Sequence, residues 1–249
     1  LFGTSWPNHE RARSWAAEIL DDRTTFAADG SQIYAGKETS VPVAMIRIGG
    51  FENPHNPGKT HEKSSRVEIL SPADLFRDQE EPMNPDVRVE QRRYLGEIAA
   101  VGEFLRKKKG WQSRGERMPL AFFDNPLLVP FSQKGLQKSL LEATLKIVAL
   151  SRETEVPLVG YVDRSFSRDL ITMLSAFDPS VDASEASVYD SWLLSASAAA
   201  RPPVLNSWGD RTCYCYSKRR GLNAFNDAAT GRSTVGFAYL QTTAASPPA

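Results

Sequence analysis

Apolar and polar positions alternate most clearly between Val41 and Ile48, where Val41, Val43, Met45 and Arg47 interleave with Pro42, Ala44, Ile46 and Ile48. That two-residue period predicts a strand, and Gly49-Gly50 is expected to end it. Upstream, Trp15 and Ile19 share one face of a short helix predicted over Arg11 to Leu20. Phe26-Ala27-Ala28-Asp29 reads as a buried strand that runs into a turn at Gly30-Ser31. Residues 51–66 are polar and read as a connecting loop, followed by a short strand over Val67 to Leu70. The longest helical pattern starts from an N-cap at Asp86. Tyr94, Ile98, Val101 and Leu105 fall at helical spacing through Lys109, and Gly110 stops it. A strand over Leu120 to Phe123 follows, then a helix over Gly135 to Leu150 that turns Leu136, Leu140, Leu141, Leu145 and Val148 to the core. Leu158 to Tyr161 reads as a strand and Arg168 to Phe177 as a helix. Residues 178–206 are rich in Ala and Ser, and two last strands, Thr212 to Ser217 and Val235 to Leu240, close the pattern. Strand–helix–strand–helix order with short connections marks crossover units on a parallel sheet, to which the early strands add as antiparallel neighbours. One α/β domain over residues 1–249 is the simplest account, with no repeat and no dividing linker.

Composition narrows the function classes. Thirty basic residues balance 30 acidic ones in 249, so a globally basic nucleic-acid binder is excluded and any phosphate-binding surface is a local patch. No apolar run approaches the roughly 18 residues that span a bilayer. Two cysteines and no basic leader at Leu1-Phe2-Gly3 predict a reducing, cytoplasmic setting. The start lacks a methionine and the end, Ser246-Pro247-Pro248-Ala249, looks unfinished, so the chain is expected to be truncated at both ends.

Three aspartates close apolar strands: Asp29, Asp124 and Asp163. Carboxyl ends of strands are where open α/β sheets hold ligands. Each alone reads equally well as a turn or helix cap. Together they would repel unless a cation sat among them. Glu97 lies roughly 60° from the Tyr94–Leu105 stripe on a 3.6-residue helix. It therefore borders the core face, with Arg93 one turn earlier to orient it and Glu90 as the rival acid. Carboxylates without a matching His or Cys cluster point to Mg²⁺ or Mn²⁺. Two such ions about 4 Å apart can activate water and stabilise the leaving oxygen in phosphodiester cleavage.

These residues sit in a series that resembles one family. Ala28-Asp29-Gly30-Ser31-Gln32-Ile33 resembles the opening motif of the NurA nucleases, and Arg93-Tyr94-Leu95-Gly96-Glu97 is similar to their helix motif. Phe122-Phe123-Asp124-Asn125-Pro126-Leu127-Leu128 resembles their second aspartate strand, and residues 157–165 resemble the strand after it. Gly209-Asp210-Arg211-Thr212 and residues 235–242 resemble the C-terminal strands, in collinear order over nearly the whole chain. The resemblance implies an RNase H-like mixed sheet flanked by helices and a homodimer. It also implies one or two Mn²⁺ (or Mg²⁺) ions and a hexameric translocase partner of the HerA type. The setting it implies is DNA end resection, double-strand break repair or phage defence. Carried over, Asp29, Glu97 and Asp124 become metal ligands and Tyr239 the aromatic of the last strand; Asp163, the third strand-end aspartate, is expected to serve catalysis as a fourth ligand or as a partner of the ligands.

Two departures stand out. The family's Gly-Ser after the second aspartate is Asn125-Pro126 here, and proline fixes φ and removes an N–H. The family also uses a histidine after the last strand, and none follows His61. The expected activity is metal-dependent DNA cleavage, exo- or endonucleolytic. The alternatives are a non-catalytic DNA-guiding adaptor of the translocase and a hydrolase of small phosphoesters. Phosphate contacts fall to Arg93, Lys107, Lys108, Arg164, Lys218, Arg219 and Arg220. His55 and His61 read as solvated or DNA-contacting. Cys213 and Cys215 read as buried reduced thiols rather than a zinc site. The Trp-bearing N-terminal helix and residues 178–208 are the dimer-interface candidates.

Overall fold

A computed structural model of the chain describes residues 6–36, 38, 40–76, 84–128, 134–163, 165–178, 180, 188–195, 204–205, 207–217 and 222–242. These residues fall into two compact units, residues 18–161 and residues 1–17 with 162–249.

In the first unit, strand β1 (Thr25–Ile33) is the middle of a five-stranded sheet of order β3-β2-β1-β4-β5. On one side β1 pairs antiparallel with β2 (Ala44–Asn53), which pairs antiparallel with β3 (Glu62–Leu70). On the other it pairs parallel with β4 (Leu120–Phe123), which pairs parallel with β5 (Leu158–Gly160). With flanking helices, this is the RNase H-like mixed sheet. Helix α3 (Pro85–Lys108) packs on β1, β2 and β4, and α4 (Lys134–Thr154) packs on α3. The core between them holds Phe26 and Ala28 of β1, Ala121 and Phe123 of β4, and Ile98, Val101, Phe104 and Leu105 of α3. Phe26 and Phe104 stack with ring centroids 4.9 Å apart. Burying each large side chain of this cluster contributes roughly 1.5–3 kcal/mol. A smaller cluster of Ala44, Ile46, Leu70, Leu75 and Val89 lies below it, closed by the short α2 (Pro72–Leu75). The Ser71–Asp74 capping box fixes the start of α2.

Several element boundaries differ from those read from sequence, each for a packing reason. Neither Gly30-Ser31 nor Gly49-Gly50 is a turn: β1 runs on to Ile33 and β2 to Asn53, with Asp29 opposite Gly49 and Gly30 opposite Ile48. A Cβ on Gly50 would lie 2.5 Å from Ser64 Oγ and 3.1 Å from the Phe26 ring, so the glycine makes room within the sheet rather than ending it. The polar stretch over 51–66 is not all loop: residues 51–53 finish β2 and residues 62–66 begin β3, an exposed edge strand whose residues show no buried alternation. The long helix is capped by Asn84, which accepts from Asp86 N at 3.0 Å, with Pro85 in its first turn. Among the described residues of α4 the buried ones are Thr144, Ile147 and Thr154, with Ala143 and Leu150 beside them, a stripe rotated from Leu141, Leu145 and Val148. Thr144 is tolerated there because its hydroxyl meets Tyr94 Oη at 2.9 Å and donates to Leu140 O at 2.8 Å.

The second unit holds most of α1 (His9–Leu20), α5 (Asp169–Phe177) and α6 (Asp190–Ser195). The two late strands are no part of the five-stranded sheet. Segments 211–215 and 237–240 meet through isolated antiparallel bridges, Arg211 to Leu240 and Cys215 to Phe237. Trp6 lies 4.9 Å from Trp15 and 6.1 Å from Trp208, ring centroid to centroid, so these aromatics pack on one another within the unit.

A candidate carboxylate site at the end of the central strands

Strand register brings the first two acids together. β1 and β4 run parallel with Ala28 beside Phe123, so Asp29 and Asp124 are each the next residue along two neighbouring strands. Phe26, Ala28, Ala121 and Phe123 are buried on the helix side of the sheet. By the two-residue alternation of strands, Asp29 points the other way; Asp124 follows the last residue of β4, and both are exposed.

Glu97 comes from α3 and is fully buried. Its carboxylate reaches the backbone of β1, where Gly30 has no side chain to obstruct it. A Cβ on Gly30 would lie 2.5 Å from Glu97 Oε1 and 2.6 Å from Arg93 Cγ. The glycine after Asp29 is thus a gap that the helix fills with its acid and its arginine. Arg93 Nη1 donates to Glu97 Oε1 at 2.6 Å and to Gly30 O at 3.3 Å. Asn125 Nδ2 donates to Glu97 Oε2 at 2.7 Å. Arg93 Nε is buried with no hydrogen-bond partner among the described residues.

The electrostatics follow from this crowding. Burial pushes the Glu97 carboxyl up to about 7 from an ordinary 4.5; Arg93 pulls it down, and the charges of Asp29 and Asp124 push it up again. Asp29 and Asp124 are therefore close enough for their charges to act on Glu97. Among the described residues, no three His, Cys, Asp or Glu side chains are gathered tightly enough to hold a metal ion as they stand. The donor chemistry nonetheless fits a hard divalent cation. All three acids offer oxygen only, their mutual repulsion is relieved by positive charge, and each Glu97 oxygen, with one partner, keeps a second lone pair.

The other candidates are distributed as follows. Asp163 is exposed and belongs to the second unit. Tyr239, in the same unit, donates its hydroxyl to Asp190 Oδ2 at 2.9 Å. Asp190 is fully buried and also accepts from Leu170 N at 2.9 Å and Ile171 N at 3.1 Å, so it caps α5. Burial pushes the Tyr239 phenol up to about 12, opposed by the Ser165 and Ser167 hydroxyls and reinforced by Asp190. Lys107 bonds Glu52 and Glu62 at 2.8 Å each. Lys108 lies 3.1 Å from Glu52 and 3.9 Å from Glu116. Both lysines sit in the last turn of α3, about 15 Å of helix from Glu97 at 1.5 Å per residue. Arg164, Lys218, Arg219 and Arg220 lie outside the described residues. His55 is tied to Thr25 Oγ1 at 2.8 Å, and Glu90 accepts from Tyr34 Oη at 3.0 Å rather than joining the acids. Cys215 is buried, but Cys213 is exposed, with the two sulfurs 3.6 Å apart. The sequence reading missed Asn125 as a partner of Glu97. Its signal was the departure from the family's glycine, read there as a backbone matter alone.

The chain matches the family model described as NurA domain over residues 23–248. No curated protein matches it. Among solved structures, a foamy viral protease-reverse transcriptase in complex with dsDNA is 14% identical, covering 60% of this chain and 88% of that one, with a TM-score of 0.30. The native Prototype Foamy Virus Protease-Reverse Transcriptase is 12% identical over 68% of this chain and 21% of that one, TM-score 0.29. LC9-RNase H1, a type 1 RNase H with the type 2 active-site motif, is 14% identical over 59% and 66%, TM-score 0.26. Likenesses at this level have no bearing on function. Among the described residues no helix is long and apolar enough to cross a membrane.

Proposed function

The chain belongs to the NurA family of nucleases, and from that premise we propose that it is a Mn²⁺- or Mg²⁺-dependent deoxyribonuclease whose metal ligands are Asp29, Glu97 and Asp124. What supports the reading is the placement of Asp29 and Asp124 side by side at the ends of two parallel strands, with Glu97 buried against Gly30 and its carboxyl raised in part by the charges of both. A divalent ion held there would polarise a phosphoryl oxygen and lower the pKa of water, the chemistry that phosphodiester hydrolysis takes from such ions.

The chain's own residues supply the rest. Asp29 and Asp124 present charge on the exposed side of the strands, where a nucleic-acid backbone has access. Glu97 joins them from the opposite layer, its orientation set before any ligand arrives. Arg93 offsets one negative charge of the cluster, so that the site is anionic enough to take a cation without repelling a phosphate outright. The Tyr239 hydroxyl is committed to Asp190 within its own unit, which argues against a proton-transferring role for it. Arg93 remains a candidate phosphate contact, while Lys107 and Lys108 would add little, being shared among Glu52, Glu62 and Glu116. Family membership also supports DNA as substrate, a HerA-type hexameric ATPase as partner, a homodimer, and a role in end resection, break repair or phage defence.

A second reading, a non-catalytic DNA-guiding adaptor, draws on Asn125, which places a side chain on Glu97 where the family has glycine. Incubating the protein with single-stranded and duplex DNA, in Mn²⁺ and in EDTA, separates the two. Shortened DNA in Mn²⁺ alone is the result expected. DNA retained on the protein without product in either condition would support the adaptor.

A further inference from the structure

We infer that Asn125 is a positioning residue of this site: its amide, working opposite the Arg93 guanidinium, sets the orientation in which Glu97 meets a divalent cation. The inference rests on the metal reading above and adds to it a residue that the family pattern does not supply.

The geometry is specific to this chain. Glu97 is a fully buried carboxylate at the end of a flexible side chain. One donor would leave it free to pivot about that contact. Two donors from different elements, Arg93 on Oε1 at 2.6 Å and Asn125 on Oε2 at 2.7 Å, remove the pivot. Arg93 is on the same helix as Glu97, four residues earlier, so it fixes the carboxylate relative to α3 alone. Asn125 follows β4 and stands next to Asp124, so it fixes the carboxylate relative to the strand that carries another of the acids.

Asn125 is itself held from two sides. Pro126 restricts the residue before it to extended conformations. The Asn125 carbonyl also rests on β5: a Cβ on Gly160 would lie 2.8 Å from Asn125 O and 3.1 Å from Leu127 N, an approach that the glycine permits. The two residues that replace the family's Gly-Ser therefore form one device. Pro126 and Gly160 set the backbone, and the amide sets Glu97. Hydrogen-bond partners of metal ligands of this kind typically change metal affinity by about 10–100-fold when removed.

Mn²⁺ titration calorimetry on the intact chain tests this, with thermal unfolding recorded for every variant. Asn125→Ala and Asn125→Leu, the second preserving shape without a donor, are expected to weaken Mn²⁺ binding by about 10–100-fold. Asn125→Gln, which keeps the amide, is expected to retain more affinity than Asn125→Leu at comparable Tm. Asp29→Asn serves as the control that removes a ligand. If Asn125→Ala and Asn125→Leu bind Mn²⁺ as the parent does while Asp29→Asn does not, the positioning role is overturned and the metal reading stands. If affinity follows Tm across the series irrespective of the amide, Asn125 anchors the loop and nothing more. A parent chain that takes up no Mn²⁺ overturns the metal reading, and the positioning role with it.

Discussion

A single methyl group tests the packing around Glu97. Gly30→Ala would place its Cβ within 2.6 Å of both Glu97 Oε1 and the Arg93 stem, and the carboxylate tip is the part best able to move. The expected outcome is a modest loss of stability, about 1–3 kcal/mol by urea unfolding, with loss of cleavage out of proportion to it. A Gly30→Ala protein as active as the parent would show that the carboxylate's place does not matter. Acid–base behaviour gives a second test. The folded state raises the Glu97 carboxyl from 4.5 to about 7, chiefly through burial, so folding favours the protonated form. That contribution is complete below about pH 4.5 and is lost as pH rises through about 7. Compared with Glu97→Gln, the metal-free parent should therefore lose stability between pH 5 and 7.5, seen as converging or crossing Tm curves. Mn²⁺ affinity should rise over the same interval, because binding needs the carboxylate. A constant Tm difference across that range would contradict the assignment. Arg93→Leu removes the charged partner of a buried acid and should cost on the order of 2–4 kcal/mol near pH 8, shrinking as the pH falls and Glu97 takes up a proton.

At the scale of elements, the glycines of α3, β1 and β2 serve close approach. Gly96 faces Ile48 of β2, and a Cβ there would lie 2.8 Å from Ile48 Cγ1. In an open helix Gly→Ala gains about 1 kcal/mol. Here Gly96→Ala should instead destabilise, as measured by chemical denaturation; a stabilised variant would contradict the close packing of α3 on β2. The same feature explains which boundaries were legible in the sequence. Leu120 to Phe123 and the Tyr94–Leu105 stripe could be read because burial there is one-sided and periodic. Gly30 and Gly49-Gly50 look like turns to any reading that treats glycine as punctuation, whereas here they admit Glu97, Arg93, Phe26 and Ser64. Of β3 only the Val67–Leu70 end was legible, because the exposed first half of an edge strand needs no apolar alternation; the strand is fastened instead by charges such as Arg66 with Glu103 and Arg92 with Glu68. Of the site, the acids were legible as strand-end and core-bordering carboxylates. Asn125 was not, because its role depends on a contact with α3 across 28 residues of chain that no local pattern encodes.

At the scale of the whole molecule, the family match spans residues 23–248 and so covers most of each compact unit, leaving out residues 1–22. Formal neutrality bears on how such a protein meets DNA. A free-standing nuclease gains from a broad basic surface, whereas one fed by a translocase does not need to capture DNA itself. A symmetric dimer, the commonest closed assembly, would place two sites about one path, and light scattering at micromolar concentration should return twice the mass of one chain; a monomer mass would remove that arrangement. The central claim is that Asp29, Glu97 and Asp124 together carry metal-dependent cleavage of DNA. It is tested most directly by product formation from duplex and single-stranded DNA in Mn²⁺, comparing the parent with Asp29→Asn, with circular dichroism confirming that the fold is kept. Product is expected from the parent, none in EDTA, and none from a well-folded Asp29→Asn protein. Undiminished cleavage by Asp29→Asn would contradict it.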